Sequence, residues 1–62
     1  MKYVRFAYRG GDVKFGRVIS DYSGSGYCVI EQLSNGLRVI VDSEYIEFIS
    51  EEEYLAATIL LK

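Results

Sequence analysis

Ile49-Ser50-Glu51-Glu52-Glu53-Tyr54 decides how this 62-residue chain is read. The Ser50 hydroxyl is placed to accept a hydrogen bond from the backbone N–H of Glu53, and the Glu53 carboxylate to reach back to the N–H of Ser50. Ile49 and Tyr54 occupy the two apolar positions that flank such a capping box. Three local signals therefore agree that an α-helix begins at Glu51. What precedes it differs in kind: short β-like runs punctuated by glycine turns. The pattern predicts a mainly β fold, a small five-stranded antiparallel barrel or curled sheet over residues 1–49, with one C-terminal α-helix over 50–62, all in a single domain 1–62.

Moving back along the chain, residues 3–8 alternate with the strand period, so Val4, Phe6 and Tyr8 face a core while Tyr3, Arg5 and Arg9 face outward. Gly10-Gly11 supplies a turn. A second strand covers about residues 13–20. Val13, Phe15 and Ile19 share one parity and Val18 has the other, which predicts a bulge or sharp bend near Gly16-Arg17. Residues 21–26 have loop composition, a third strand covers 27–33, and Asn35-Gly36 turns the chain into a fourth at 37–41.

That hairpin has two plausible registers. A two-residue Asn35-Gly36 turn pairs Ile30 with Val41 and puts Cys28 on the same face. A three-residue Ser34-Asn35-Gly36 loop pairs Leu33 with Leu37 and Val29 with Val41, with Gln32 beside Arg38 on the outer face. The second separates polar from apolar residues more cleanly and is the register predicted. Residues 42–45 then read as a tight polar turn or single helical turn, and 46–49 as a last strand. In the helix, Tyr54, Leu55, Ala56, Ala57, Ile59, Leu60 and Leu61 are apolar over most of the circumference, where a surface helix keeps a polar face. The ending Thr58-Ile59-Leu60-Leu61 is β-prone, so a shorter helix with an extended tail is the alternative.

Composition narrows the function. The chain has one cysteine and no histidine, which removes Ser-His and Cys-His nucleophiles and zinc sites built from the usual nitrogen and sulfur ligands. A non-enzymatic protein is expected, with no catalytic residue, no metal site, no cofactor and no small-molecule substrate. Cys28 alone makes no disulfide framework, and Lys2, Arg5 and Arg9 interrupt any signal-peptide-like apolar run, so a cytoplasmic location is expected. The longest apolar stretch, residues 55–61, is far short of the ~20 residues that span a bilayer; no membrane association is expected. The net charge of −2 hides a polarity: residues 1–20 carry a net +4 and residues 41–62 a net −5. Glu51, Glu52 and Glu53 complement the positive end of the helix dipole.

Val13-Lys14-Phe15-Gly16-Arg17-Val18, Gly26-Tyr27-Cys28-Val29, Asn35-Gly36-Leu37-Arg38-Val39 and Ser43-Glu44-Tyr45-Ile46 occur in an order that resembles the small five-stranded barrels of the Src-homology-3-like class, including Tudor-type and ribosomal KOW-type domains. In that class a strand bends at a glycine and a short helical turn precedes the last strand. The resemblance covers residues 3–49 at the level of fold and leaves the C-terminal helix outside it. It implies a binding domain, for peptides, methylated side chains or nucleic acid. A methyl-binding cage would draw on Tyr3, Tyr22, Tyr27 and Tyr45.

Two surfaces carry the functional expectation. The apolar C-terminal segment, Tyr54, Leu55, Ile59, Leu60 and Leu61, exceeds what one thin barrel needs, and marks a surface for a protein partner or for homo-oligomerisation. On this reading the chain is a small interaction module, a regulator or inhibitor that docks on a larger protein. The alternative is a nucleic-acid-binding barrel using the basic, aromatic face of the first two strands: Tyr3, Arg5, Arg9, Lys14 and Arg17. Gly24-Ser25-Gly26 is read as a flexible loop rather than an anion cradle, and Cys28 as a buried structural thiol.

Overall fold

A computed structural model describes residues 2–7 and 11–60. Five strands, β1 (Tyr3–Phe6), β2 (Lys14–Tyr22), β3 (Tyr27–Gln32), β4 (Arg38–Asp42) and β5 (Ile46–Ile49), form one antiparallel sheet in the order β4-β3-β2-β1-β5. The helix α1 (Glu51–Leu60) follows, and 3-10 turns at Ser23–Ser25 and Ser43–Tyr45 precede β3 and β5. The sheet is not closed into a barrel, because β4 and β5 end it on opposite sides. The architecture is the small β-rich sheet with a C-terminal helix that the sequence predicts.

The alternation in β1 holds: Val4 and Phe6 are fully buried, and they join Cys28, Ile30 and Val41 in the core, with Val18, Val39, Tyr45 and Ile46 packed against them. The predicted positions of Tyr8, Arg9, Gly10 and Leu61 lie outside the described residues. Residues directly paired across the ladders share a face, so the row Ile49, Tyr3, Arg17, Glu31 and Arg38 lies on the side opposite the core.

Two details of the second strand differ from the sequence reading. The irregularity in β2 falls between Val18 and Ser20, not at Gly16. Gly16 is there for another reason: a Cβ at this position would lie 2.5 Å from Ile30 Cγ2 and 2.6 Å from the Glu31 carbonyl oxygen. Close approach of β2 and β3, rather than a bend, selects glycine. The strand also continues through Asp21 and Tyr22, and only then does a 3-10 turn begin. Asp21 Oδ1 accepts the Ser23 N–H at 2.9 Å, and Gly26 (φ 93°) closes the turn with its N–H on the Ser23 carbonyl at 3.0 Å.

The β3–β4 register corrects both predicted alternatives. Ile30 pairs with Val39 and Cys28 with Val41 across a four-residue loop, residues 33–36. The Gln32 N–H donates to Leu37 O at 2.9 Å, the Gly36 N–H to Gln32 O at 2.9 Å, and the Leu37 N–H to Asn35 Oδ1 at 3.0 Å, with Gly36 at φ 70°. Cys28, Ile30 and Gln32 therefore face inward and Glu31 outward. The predicted three-residue loop failed because it kept Gln32 out of the core. Burying a neutral amide costs far less than burying the Glu31 carboxylate, so the chain takes the register that leaves the charge outside.

The helix start is as predicted, with the Glu53 N–H donating to Ser50 Oγ at 3.1 Å. The helix continues through Thr58-Ile59-Leu60 rather than giving way to an extended tail. It lies against β1 and β2, and Tyr54 stacks on Tyr3 with centroids 4.3 Å apart. Tyr54, Ala57 and Thr58 recur at helical spacing as the inward side, with Ala57 buried. A small side chain there lets the helix sit close to the sheet.

Candidate functional surface

Because Tyr54, Ala57 and Thr58 turn inward, the opposite side of α1 is left to solvent. Leu55 is 51% exposed, Ile59 73% and Leu60 82%. Tyr54, predicted as a member of this surface, is instead half-buried against Tyr3, and burial pushes its phenol pKa up from the ordinary value. Of the predicted partner-binding residues, Leu55, Ile59 and Leu60 are thus brought together on one exposed apolar face, Tyr54 anchors the helix to the sheet, and Leu61 lies outside the described residues.

The sequence reading also missed a second exposed apolar residue, on the face of the sheet opposite α1. Phe48, on the edge strand β5, is 55% exposed. With Lys2, Tyr3, Ile49 and Glu51 it lines a cleft of about 410 Å³ between β5, β1 and the start of the helix. Lys2 Nζ stands 5.6 Å from the centre of the Phe48 ring, within range of a weak cation–π contact. Phe48 shares strand parity with Ile46, which packs on the core, and only its place at the end of an edge strand leaves it open. A strand pattern alone does not separate those two environments.

The basic face is arranged differently from its appearance in the sequence. Pairing of β1 with β5 sets Arg5 against Glu47, which share an ion pair. Arg17 donates to Glu31 Oε1 through Nε at 3.0 Å and through Nη2 at 2.9 Å. Lys2 pairs with Asp21 at 3.1 Å. The fold thus lays much of the basic N-terminal segment against carboxylates from elsewhere. Lys14 is exposed and lines a smaller hollow of about 280 Å³ with Asp12, Val13, Phe15 and Ser34. Tyr3 faces the predicted side, but Tyr54 covers part of its ring. Arg9 is outside the described residues.

The tyrosines named for a cation cage do not assemble into one. Tyr22 and Tyr27 pair with centroids 5.2 Å apart, Tyr3 is engaged by Tyr54, and Tyr45 packs against the core. Cys28 is buried, and burial pushes its thiol pKa up while its sulfur approaches Asp21 Oδ1 at 3.5 Å. Such a thiol is held in its unreactive, protonated form. The Asp21 carboxyl moves the opposite way. Hydrogen bonds from Ser23, side chain and backbone, and then from Lys2 hold it well below the usual carboxylate range.

Among the described residues, no group of three or more His, Cys, Asp or Glu side chains is placed to hold a metal ion, and no helix is long and apolar enough to cross a membrane. No protein-family model, no curated protein and no solved structure matches the chain.

Proposed function

We propose that this protein is a small non-enzymatic interaction module that docks on a larger protein, as a regulator or inhibitor, through the outer face of α1. The observation that carries the reading is the exposure of Leu55, Ile59 and Leu60 together on a helix whose other side is already satisfied by the sheet. Clustered apolar surface on a soluble domain is characteristic of protein interfaces, and a helix presented on a rigid sheet loses little conformational freedom on binding. The strand order and the 3-10 turn before β5 support the resemblance to Src-homology-3-like barrels, a fold that serves binding in many settings. The nucleic-acid alternative draws less support, since Arg5 and Arg17 are engaged by Glu47 and Glu31.

The test is affinity capture from host lysate by the tagged protein, with and without nuclease, beside the triple variant Leu55→Ser, Ile59→Ser, Leu60→Ser. The proposal expects a protein that survives nuclease and is lost with the variant. Material that disappears with nuclease, or a captured protein indifferent to the variant, overturns it.

A further inference from the structure

β5 ends the sheet and pairs with β1 alone among the described strands. The Val18 N–H donates to Lys2 O at 2.9 Å. Neighbouring residues of a strand turn their polar groups to opposite sides, so Lys2, Val4 and Phe6 bond toward β2, and Tyr3 and Arg5 toward β5. Tyr3 pairs with Ile49 and Arg5 with Glu47, which leaves the backbone groups of Ile46 and Phe48 directed away from the sheet. The Ile46 N–H closes the preceding 3-10 turn on Ser43 O. The Ile46 carbonyl, and both the N–H and the carbonyl of Phe48, have no backbone partner among the described residues. Edge strands are ordinarily blunted by proline, lysine or a bulge. β5 has none of these. Its one charged residue, Glu47, is engaged by Arg5, and the Phe48 side chain is more than half exposed beside the open edge.

We propose that this edge takes up an extended segment of another protein as an additional strand, antiparallel to β5 and centred on Phe48. The residue opposite Phe48 exchanges two backbone hydrogen bonds with it, and the residue two places further on donates its N–H to the Ile46 carbonyl. An apolar side chain opposite Phe48 covers the open side of its ring, at the close spacing of directly paired residues. The unpaired backbone decides the class of occupant, because a row of N–H and C=O groups is matched by another extended backbone and not by a helix. Charge decides against a second copy of this chain. Two-fold pairing centred on Phe48 carries Glu44 of each copy toward Glu51, Glu52 and Glu53 of the other, and like charges brought together at an interface are strongly unfavourable. Phe48 pairs with Val4, on the face of the sheet opposite α1, so the proposal is independent of the reading of α1 as a docking helix.

The experiment follows the isotopically labelled full chain by amide chemical shifts and amide hydrogen exchange. The titrant is a synthetic peptide of alternating threonine and valine, about nine residues long, with a lysine at each end. A control peptide carries methyl groups on the backbone nitrogens of its central residues, which removes the donors and leaves charge and side chains in place. The proposal expects the first peptide to shift the amides of β5 and to bind at least about tenfold more tightly than the control, the effect of two lost hydrogen bonds. Exchange at the Phe48 amide should slow at least about tenfold as that N–H gains a partner, while the Glu47 amide, already turned to β1, keeps its rate. Phe48→Pro removes the donor at an edge position, where proline is tolerated, and should abolish binding. Phe48→Ala keeps the donor and should weaken binding about threefold, the size of one cross-strand aromatic contact. The Leu55→Ser, Ile59→Ser, Leu60→Ser variant should bind the peptide as wild type does, which separates this edge from the docking helix. Equal binding of the methylated peptide, unchanged exchange at Phe48, shifts centred on β4, or no binding at all overturns strand addition to β5. Self-association that protects the Phe48 amide without any peptide makes the occupant a second copy and overturns the proposal of another protein.

Discussion

At the scale of single residues, Gly16 and Asp21 carry the sharpest expectations. Any side chain at Gly16 must displace Ile30 or the Glu31 carbonyl. Gly16→Ala is therefore expected to cost about 2 kcal/mol, the usual range for overpacking, read as a lower urea midpoint with unchanged slope. The Asp21 carboxyl is stabilised in its ionised form by Ser23 and then Lys2. With its folded-state pKa depressed, its contribution is present above the ordinary carboxylate range and is lost as pH falls through that range toward the folded value. The stability gap between wild type and Asp21→Asn should accordingly narrow as pH is lowered from about 5 to about 2, and parallel curves would contradict the role. Burial raises the Cys28 and Tyr54 pKa values, so at the alkaline end stability should decline above the ordinary thiol and phenol values, where the unfolded chain releases protons that the folded chain retains.

At the scale of elements, the sequence reading succeeded where several local signals coincided. The Ser50 cap sets where α1 begins, its Oγ accepting the Glu53 N–H, and Ser50→Ala is expected to cost about 1 kcal/mol, measurable as reduced stability with the sheet intact. The alternation of Val4 and Phe6 fixed the inner face of β1, and the polar run at residues 42–45 fixed the turn before β5. The β3–β4 hairpin was illegible for a physical reason. Val29, Ile30 and Val39, Ile40 are adjacent apolar residues on their strands, so parity alone selects no face. The decision passes to Glu31 and Gln32, and it is the charge of Glu31, opposite Arg17 and Arg38, that goes outward. The bulge after Val18 was misplaced because a glycine that permits close strand approach looks, in sequence, like a glycine that permits a bend.

At the scale of the whole molecule, the long-range charge polarity of the sequence becomes something local. The meander returns β5 to β1, so Arg5 meets Glu47 and the basic and acidic ends meet within one sheet. The excess apolar residues of the C-terminal segment were visible in the sequence, but their division was not. Tyr54 and Ala57 turn to the sheet while Leu55, Ile59 and Leu60 turn to solvent, a split that depends on where α1 crosses β1 and β2. Phe48, which pairs with Val4 on the other face of the sheet, is open because β5 is an edge strand. The central claim is that the outer face of α1 exists for a partner and not for the fold. Its most direct test is the unfolding free energy of the isolated Leu55→Ser, Ile59→Ser, Leu60→Ser variant against wild type. The account predicts a change no larger than about 0.5 kcal/mol per substitution, as for exposed positions. A loss of several kcal/mol, or failure to fold, would show that these side chains serve the molecule's own core and would contradict it.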